Sequence, residues 1–137
     1  MNQWRAMRTA LIHHHIDAEN RHDLAAWLAT FARPSYELVA LDSSAVGATA
    51  VADLVGRWLT AFPNLYTEVF AFYHADLAVI LEGQLVGAQT GAWLGLPASG
   101  RVINLPFVAI CKFDEERLIG KKVYFDSGLM MRQLTGG

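Results

Sequence analysis

The sequence is poor in cysteine and in charged residues and has no long apolar run, and each of these shortages excludes a class of protein. A single cysteine, Cys111, excludes an internal disulfide. Charged residues make up 18% of the sequence and nearly cancel to a net charge of −2, which argues against nucleic acid and membranes as partners. No apolar run reaches the ~18 residues of a membrane span, and no signal-peptide pattern is visible near the N-terminus. We therefore expect a cytoplasmic protein that binds a small molecule or a soluble partner.

What the chain has in abundance is apolar material. Hydrophobic residues make up 53% of its 137 positions, enough for one domain, residues 1–137, with a sizeable core. Cys111 lies in an apolar strand-like run, where an inert buried thiol is the usual outcome. No spacing of His, Asp and Glu resembles a metal site, so we expect no metal.

Helical periodicity dominates the first half of the chain. In the first segment His15 lies at the centre of an apolar stripe that also contains Leu11 and Ala18. A second short helix starts at the capping residue Asp23 and ends before Pro34. The third predicted helix is the clearest, with an unbroken stripe formed by Val51, Leu54, Val55, Trp58, Leu59 and Phe62.

Strand patterns dominate the second half. One strand, 36–41, precedes the third helix, and four more follow it at 66–74, 77–90, 101–113 and 118–126. This order predicts an α+β domain with a curved antiparallel sheet and helices on one face. Two of the strands are apolar at both their odd- and their even-numbered positions, which face opposite sides of the sheet. We therefore expect both faces of the sheet to be shielded from water. A second subunit is the simplest cover, so we expect a homodimer through the outer sheet face.

Five segments, in order and at their spacing, give the chain a recognisable pattern. It resembles the SnoaL-like polyketide cyclase group of the nuclear transport factor two-like superfamily over nearly its full length. The segments are Ala18-Glu-Asn-Arg-His-Asp-Leu24, Ala61-Phe-Pro-Asn-Leu65, Gly91-Ala-Trp-Leu-Gly-Leu-Pro-Ala-Ser-Gly-Arg101, Val123-Tyr-Phe-Asp126 and Met131-Arg-Gln-Leu134.

The resemblance implies a cone-shaped fold in which three helices and a concave sheet enclose an apolar cavity. It further implies a homodimer that needs no metal or cofactor. In cyclases of this group an acidic residue near the end of the last long strand acts as general acid/base in an intramolecular aldol closure. Asp126 is similar to that residue in position.

Asp126 is thus the first catalytic candidate. One positioned carboxyl contributes ~10²–10⁴-fold to proton transfer, and an apolar cavity raises its pKa toward the working range. The structural alternative is that Asp126 ends the strand and caps the turn at Ser127. By strand alternation Tyr124 shares its face and is a candidate substrate ligand, whereas an ammonium of Lys122 on that face would lower the pKa of Asp126.

His15 is the second catalytic candidate, because an ionisable ring in an apolar stripe needs a partner. Glu19, one turn further on, is placed to hold the imidazole through an i,i+4 contact. A core histidine satisfied by a local hydrogen bond is the structural alternative.

Four further residues are candidate substrate ligands. Glu82 is a carboxylate within an apolar strand, so it either lines the cavity or pairs across the sheet. Trp93 flanks the turn of the predicted hairpin at residues 90–101 and would cover the cavity mouth, and Trp58 belongs to the apolar stripe of the third helix. Gln89 occupies a position where relatives often carry histidine, and an amide cannot transfer protons as imidazole does.

We therefore expect a cofactor-independent enzyme that acts by general acid/base catalysis on a small apolar, polyketide-like carbonyl compound. An isomerase acting on enones as ketosteroid isomerases do, or an epoxide hydrolase, would keep the cavity and change the reaction. The latter relies on an Asp-Arg-Asp set that we cannot place in this chain. A non-catalytic binding protein for a small hydrophobic ligand is the alternative from another class.

Overall fold

The computed structural model describes residues 2–137 and contains four α-helices and six strands within them. The helices are α1 (Arg5–Asn20), α2 (Leu24–Ala29), α3 (Ala48–Ala61) and α4 (Ser127–Thr135). The strands are β1 (Ser35–Leu38), β2 (Ser43–Val46), β3 (Tyr66–His74), β4 (Ala78–Ala88), β5 (Val102–Asp114) and β6 (Arg117–Phe125). Short 3₁₀ helices occupy Asn2–Trp4 and Val39–Leu41.

All six strands belong to one sheet with the order β2-β1-β6-β5-β4-β3. Every neighbouring pair is antiparallel except β1 and β6, which run parallel. The predicted α+β class with a curved sheet and helices is confirmed. The sequence pattern did not predict the parallel pair, the short polar strand β2 or the C-terminal helix α4. The predicted strand 36–41 ends at Leu38, and the 3₁₀ helix follows it.

The two faces of the sheet differ sharply in burial. On β5 the odd-numbered residues from Ile103 to Phe113 are buried in the core, while the even-numbered Val102 and Val108 are 57% and 37% exposed. The helices α1 and α3 contribute their buried stripes to the same core, which forms one continuous apolar cluster. The face opposite to this core, called the outer face below, is exposed in the chain.

A glycine allows β3 to approach β4 closely at the bulge between Val69 and Ala71. A Cβ on Gly83 would lie 1.8 Å from the backbone oxygen of Glu68, a separation that no side chain tolerates. The bulge bends this edge strand and increases its twist, which contributes to the curvature of the sheet.

In the part of the chain that the structure describes, no helix is long and apolar enough to cross a membrane. In the same part, no group of three His, Cys, Asp or Glu residues is arranged to hold a metal ion.

Candidate functional site

A lysine, a glutamate and a histidine meet between α1 and β6, where Lys121 and His15 are buried and the side chain of Glu19 is 22% exposed. Lys121 is 4% exposed, and its Nζ lies 2.8 Å from Oε1 of Glu19 and 3.1 Å from Nε2 of His15. Glu19 and His15 are one turn apart on α1 and therefore face the sheet together. We call these three residues the inner cluster.

Three hydrogen bonds fix the side chain of Glu19. Oε1 accepts from Lys121 and from the indole Nε1 of Trp27 at 3.0 Å, while Oε2 accepts from the hydroxyl of Thr67. The next residue, Asn20, exchanges two hydrogen bonds of 2.8 Å with the backbone of Thr67. The C-terminal end of α1 is thereby attached to β3.

The hydrogen bonds of His15 determine its tautomer. Thr30 donates its hydroxyl proton to the backbone oxygen of Trp27, so the hydroxyl can only accept from His15, whose Nδ1 lies 2.7 Å away. Nδ1 therefore carries the proton, and Nε2 accepts from the ammonium of Lys121. The predicted i,i+4 pairing of Glu19 with the imidazole is present, with Nε2 3.8 Å from Oε1, and Lys121 bonds to both.

The pKa values agree with this arrangement. Burial, with the positive charge of Lys121, holds the pKa of His15 well below 6.5, so the ring is neutral. Burial alone would raise the pKa of Glu19, but the charge and hydrogen bond of Lys121, with the hydrogen bond of Thr67, outweigh it and lower that pKa to about 2. Glu19 is therefore ionised and Lys121 faces a permanent negative charge.

The inner cluster borders a small apolar pocket with a cavity volume of about 50 Å³. We call this space the inner pocket. Burial and the nearby charge of Glu19 raise the pKa of Tyr36, so its hydroxyl stays neutral in the pocket wall. The other lining residues are Glu19, Trp27, Leu38, Val55, Trp58, Leu65, Thr67, Leu85, Phe107, Lys121 and Val123.

A larger space lies on the other side of Trp58. This outer groove has a volume of about 610 Å³ and is bordered by α3, the 38–43 segment and the hairpin residues 92–94. Trp93 lines it and stacks on Trp58 with ring centroids 4.7 Å apart. Gly91 allows this packing, because a Cβ there would lie 2.5 Å from the backbone oxygen of Thr60 at the end of α3.

The structure places Asp126 away from this site. It is exposed, directly follows β6 and caps α4, with Oδ1 accepting from the backbone nitrogen of Leu129 at 3.0 Å. The expected convergence of Asp126, His15 and Tyr124 in one closed pocket is therefore wrong. Because alternate residues of a strand face opposite sides, Lys121 and Val123 face the core, whereas Tyr124 is 38% exposed on the outer face.

Glu82 also lies on the outer face, so the expectation that it lines the cavity is wrong. Its Oε1 accepts from the hydroxyl of Tyr73 at 3.0 Å, a cross-strand pair exposed to solvent. Glu82, Tyr124 and Asp126 do come together, but around an open depression on the outer face. They do not meet the inner cluster.

Gln89 is buried but has a structural task. Its amide nitrogen donates to the backbone oxygens of Leu96 and Pro97 at 3.3 and 3.2 Å, and its oxygen accepts from the hydroxyl of Ser99 at 2.7 Å. Gln89 thus stabilises the hairpin through these hydrogen bonds. It lines neither the inner pocket nor the outer groove. Of the predicted site residues, Trp58 lines the inner pocket and Trp93 lines the outer groove. His15 does not line the pocket itself but contacts Lys121, which does.

Sequence reasoning did not single out Lys121, Thr30, Thr67 or Tyr36. For Lys121 a signal existed, since it lies two residues before the apolar Val123 and must share its face. Thr30 and Thr67 are close to His15 and Glu19 only because α2 and β3 pack against α1, which no local pattern encodes.

The curved six-stranded sheet and the helices packed on it define a cone-shaped α+β protein. A family model described as SnoaL-like polyketide cyclase matches residues 9–134, and the chain belongs to this family. No curated protein matches it.

Several solved structures share the fold. A candidate polyketide cyclase from Xanthomonas campestris pv. campestris has a TM-score of 0.85 and 21% identity, with 95% of this chain and 98% of that chain covered. AclR, a candidate hydroxylase from Streptomyces galilaeus, has a TM-score of 0.80 and 20% identity, with coverages of 96% and 98%. Because one fold is linked to two reaction types, the site residues must decide the chemistry.

Proposed function

We propose that the chain is a cofactor-independent enzyme that activates a small apolar carbonyl compound by acid/base chemistry at the inner cluster. The observation that carries this proposal is Lys121, a buried ammonium with two identified acceptors that borders an apolar pocket. An ammonium has three N–H donors, so one is left for a substrate oxygen.

Lys121 would bind the carbonyl oxygen and stabilise the negative charge that develops on it. Such stabilisation is effective when the donor is held in place before the reaction, and Glu19 and His15 hold Nζ from two sides. His15 acts here as a positioning residue, because its neutral Nε2 already accepts from Lys121. The neutral hydroxyl of Tyr36 borders the same pocket and would serve as a second donor.

Glu19 would remove the proton from the carbon next to the carbonyl. With a pKa of about 2 it is a weak base in the unliganded protein, and Lys121 is the main attractive cause. A substrate oxygen that accepts the third N–H of Lys121 leaves Nζ in place and shares its positive charge, so the attraction on Glu19 weakens and the pKa of Glu19 rises. The base therefore strengthens only when a carbonyl is bound.

A ring closure by this route balances without a cofactor. Glu19 takes the proton, the resulting enolate carbon attacks a second carbonyl of the same molecule, and a carbon–carbon bond forms. The new alkoxide then takes the proton back from Glu19. The same first step without the attack would give an enone isomerase, and the family membership favours the closure.

The proposal can be tested without the natural substrate. Acetophenone in D₂O exchanges its methyl protons when a base and an oxyanion donor act together, and NMR follows the loss of the methyl signal. We expect the wild-type protein to accelerate this exchange, and Glu19→Gln and Lys121→Met to lower the rate by roughly 10²–10⁴-fold. Asp126→Asn is the matched control, because it neutralises a carboxyl outside the inner cluster.

Two results would contradict the proposal. Saturable binding of acetophenone without accelerated exchange would favour the non-catalytic binding protein. A loss of exchange in Asp126→Asn would return the chemistry to the outer face. Circular dichroism of each variant checks that the fold is intact.

We further propose that two copies of the chain pair through the outer face. The support is its exposed apolar side chains, at Tyr66, Phe70, Tyr73, Val102, Val108 and Tyr124. Sedimentation should show a dimer for the wild-type protein and a monomer for Val108→Glu. A wild-type monomer at micromolar concentration would refute the pairing.

A further inference from the structure

The inner pocket and the outer groove meet at the stacked pair of Trp58 and Trp93. Trp58 lines the pocket, Trp93 lines the groove, and Leu38 lines both. The two spaces are therefore adjacent, and the indole pair together with Leu38 forms the partition between them.

The inner pocket and the outer groove differ in volume, so they would hold different parts of a ligand. Small-molecule sites usually measure roughly 300–1,000 Å³. The inner pocket, at about 50 Å³, has room for only a small group such as a carbonyl and its neighbouring carbon, whereas the groove, at about 610 Å³, can take a ring system. A second crevice beside Glu19, between the three N-terminal helices, measures only about 20 Å³.

The partition contains two unsatisfied donors. The indole nitrogens of Trp58 and Trp93 are buried and have no hydrogen-bond partner within residues 2–137. A buried donor without a partner bears its full desolvation penalty, and such groups are rare in folded proteins. If the rings part to admit a ligand, both nitrogens become available to its oxygen atoms, so a ligand with acceptors stabilises the open arrangement.

The hairpin that carries Trp93 is strained at the residue beside it. Trp93 and Leu96 exchange two backbone hydrogen bonds around Leu94 and Gly95, whose φ angles are 51° and 78°. Two consecutive positive φ angles define a type I′ turn, in which Asn or Gly is favoured at the first position. Leu94 instead places an apolar side chain, 53% exposed, along the groove.

The groove has no net charge bias among its lining residues. Asp53 and Arg57 both line it and have opposite signs, while the remaining side chains are apolar or neutral. This composition fits an uncharged, flat ligand better than an anion or a cation.

We propose that the outer groove binds the flat ring system of a neutral ligand, and that Trp58 and Trp93 form a gate whose indole N–H groups bind acceptor oxygens of that ligand. The inference rests on the proposed function, because the gate serves to deliver a carbonyl to Lys121. Leu94 contributes apolar contact to the ring system at the expense of backbone strain.

Two probe molecules test the gate. 9-Fluorenone and fluorene have the same three-ring skeleton and differ in the carbonyl oxygen, and equilibrium dialysis measures both affinities without relying on tryptophan fluorescence. Trp93→Phe and Trp58→Phe keep an aromatic ring and remove the N–H group. We expect at least one of them to weaken fluorenone binding by roughly three- to tenfold and to leave fluorene binding unchanged. Equal effects on the two probes, or none in either variant, would overturn the assignment.

Leu94→Asn separates a ligand-binding role from a structural one. Asn is favoured in this turn, so the melting temperature should rise, while both probes should bind several-fold more weakly because apolar contact is lost. A rise in melting temperature with unchanged affinity would show that Leu94 does not contact the ligand.

The failures of the two proposals are distinguishable. Loss of acetophenone exchange in Lys121→Met, with probe binding unaffected by either Trp→Phe change, refutes the gate alone. Weaker fluorenone binding in a Trp→Phe variant, with no exchange in the wild-type protein, refutes the catalytic role of the inner cluster and keeps the binding site.

Discussion

Charged residues on the two sides of β6 differ in their burial and in their hydrogen-bond partners. Lys121, on the inner face, is 4% exposed and is held by Glu19 and His15. Asp126, just beyond the end of the same strand, is exposed and bonds to the start of α4. Only five positions separate them. The face on which a charge lies therefore matters more for its chemistry than its nearness to the end of the strand.

Stability alone does not account for the inner ion pair, because removing two charges from water costs about as much as their attraction returns. Apolar residues of similar size would often stabilise a core equally well. A charged pair that borders a pocket has a use that such residues lack, since it can act on a ligand. The outer carboxyl, in contrast, is explained completely by the helix that it caps.

Among the changes that test the difference between the two faces, Glu19→Gln should reduce the free energy of unfolding most. The change leaves the ammonium of Lys121 buried without its counter-charge, and breaking one side of a buried pair costs about 3–5 kcal/mol. Urea unfolding followed by circular dichroism should therefore show a strongly reduced free energy of unfolding.

The matched control removes both charges. Glu19→Gln combined with Lys121→Met should recover most of the lost stability, because no unpaired charge remains in the core. If the double variant is as unstable as the sum of the two single changes, the residues do not act as a pair.

Lowering the pH should also destabilise the fold through Glu19 and His15, by a smaller amount than the Glu19→Gln change. The pKa of Glu19 is about 2 in the folded chain and near 4.5 when unfolded, so its contribution is complete above pH 4.5 and is lost as the pH falls toward 2. The pKa of His15 is also lowered on folding, so protonation of the unfolded chain destabilises the fold below about pH 6.5.

Urea midpoints between pH 7 and pH 3 measure this loss, which for each group has a maximum slope of about 1.4 kcal/mol per pH unit. The double variant at positions 19 and 121 should lose less stability than the wild-type protein between pH 4.5 and pH 3. Parallel curves for the two proteins would show that Glu19 does not hold its lowered pKa.

The sequence predicted the fold well because the fold depends on periodicity. The stripe of α3 indicates which side of that helix faces the core, and the structure confirms it. The alternating burial of β5 was not predicted, because apolar residues stand on both of its faces. The site was harder, since it depends on which of two faces is closed. Tyr124 and Asp126 were correctly placed on one face, but the enclosed face was the one with Lys121. Helix α4 was missed because its pattern is short and follows a strand directly.

The smallest effect should come from Asp126, and it separates a capping role from a catalytic one. Asp126→Ala removes an N-cap acceptor, so the free energy of unfolding should fall by about 0.5–2 kcal/mol, whereas Asp126→Asn keeps an acceptor and should change it little. Neither change should alter the rate of acetophenone exchange. A slower exchange in Asp126→Asn at unchanged stability would place the chemistry on the outer face, because a cap that is still made cannot account for a lost proton transfer.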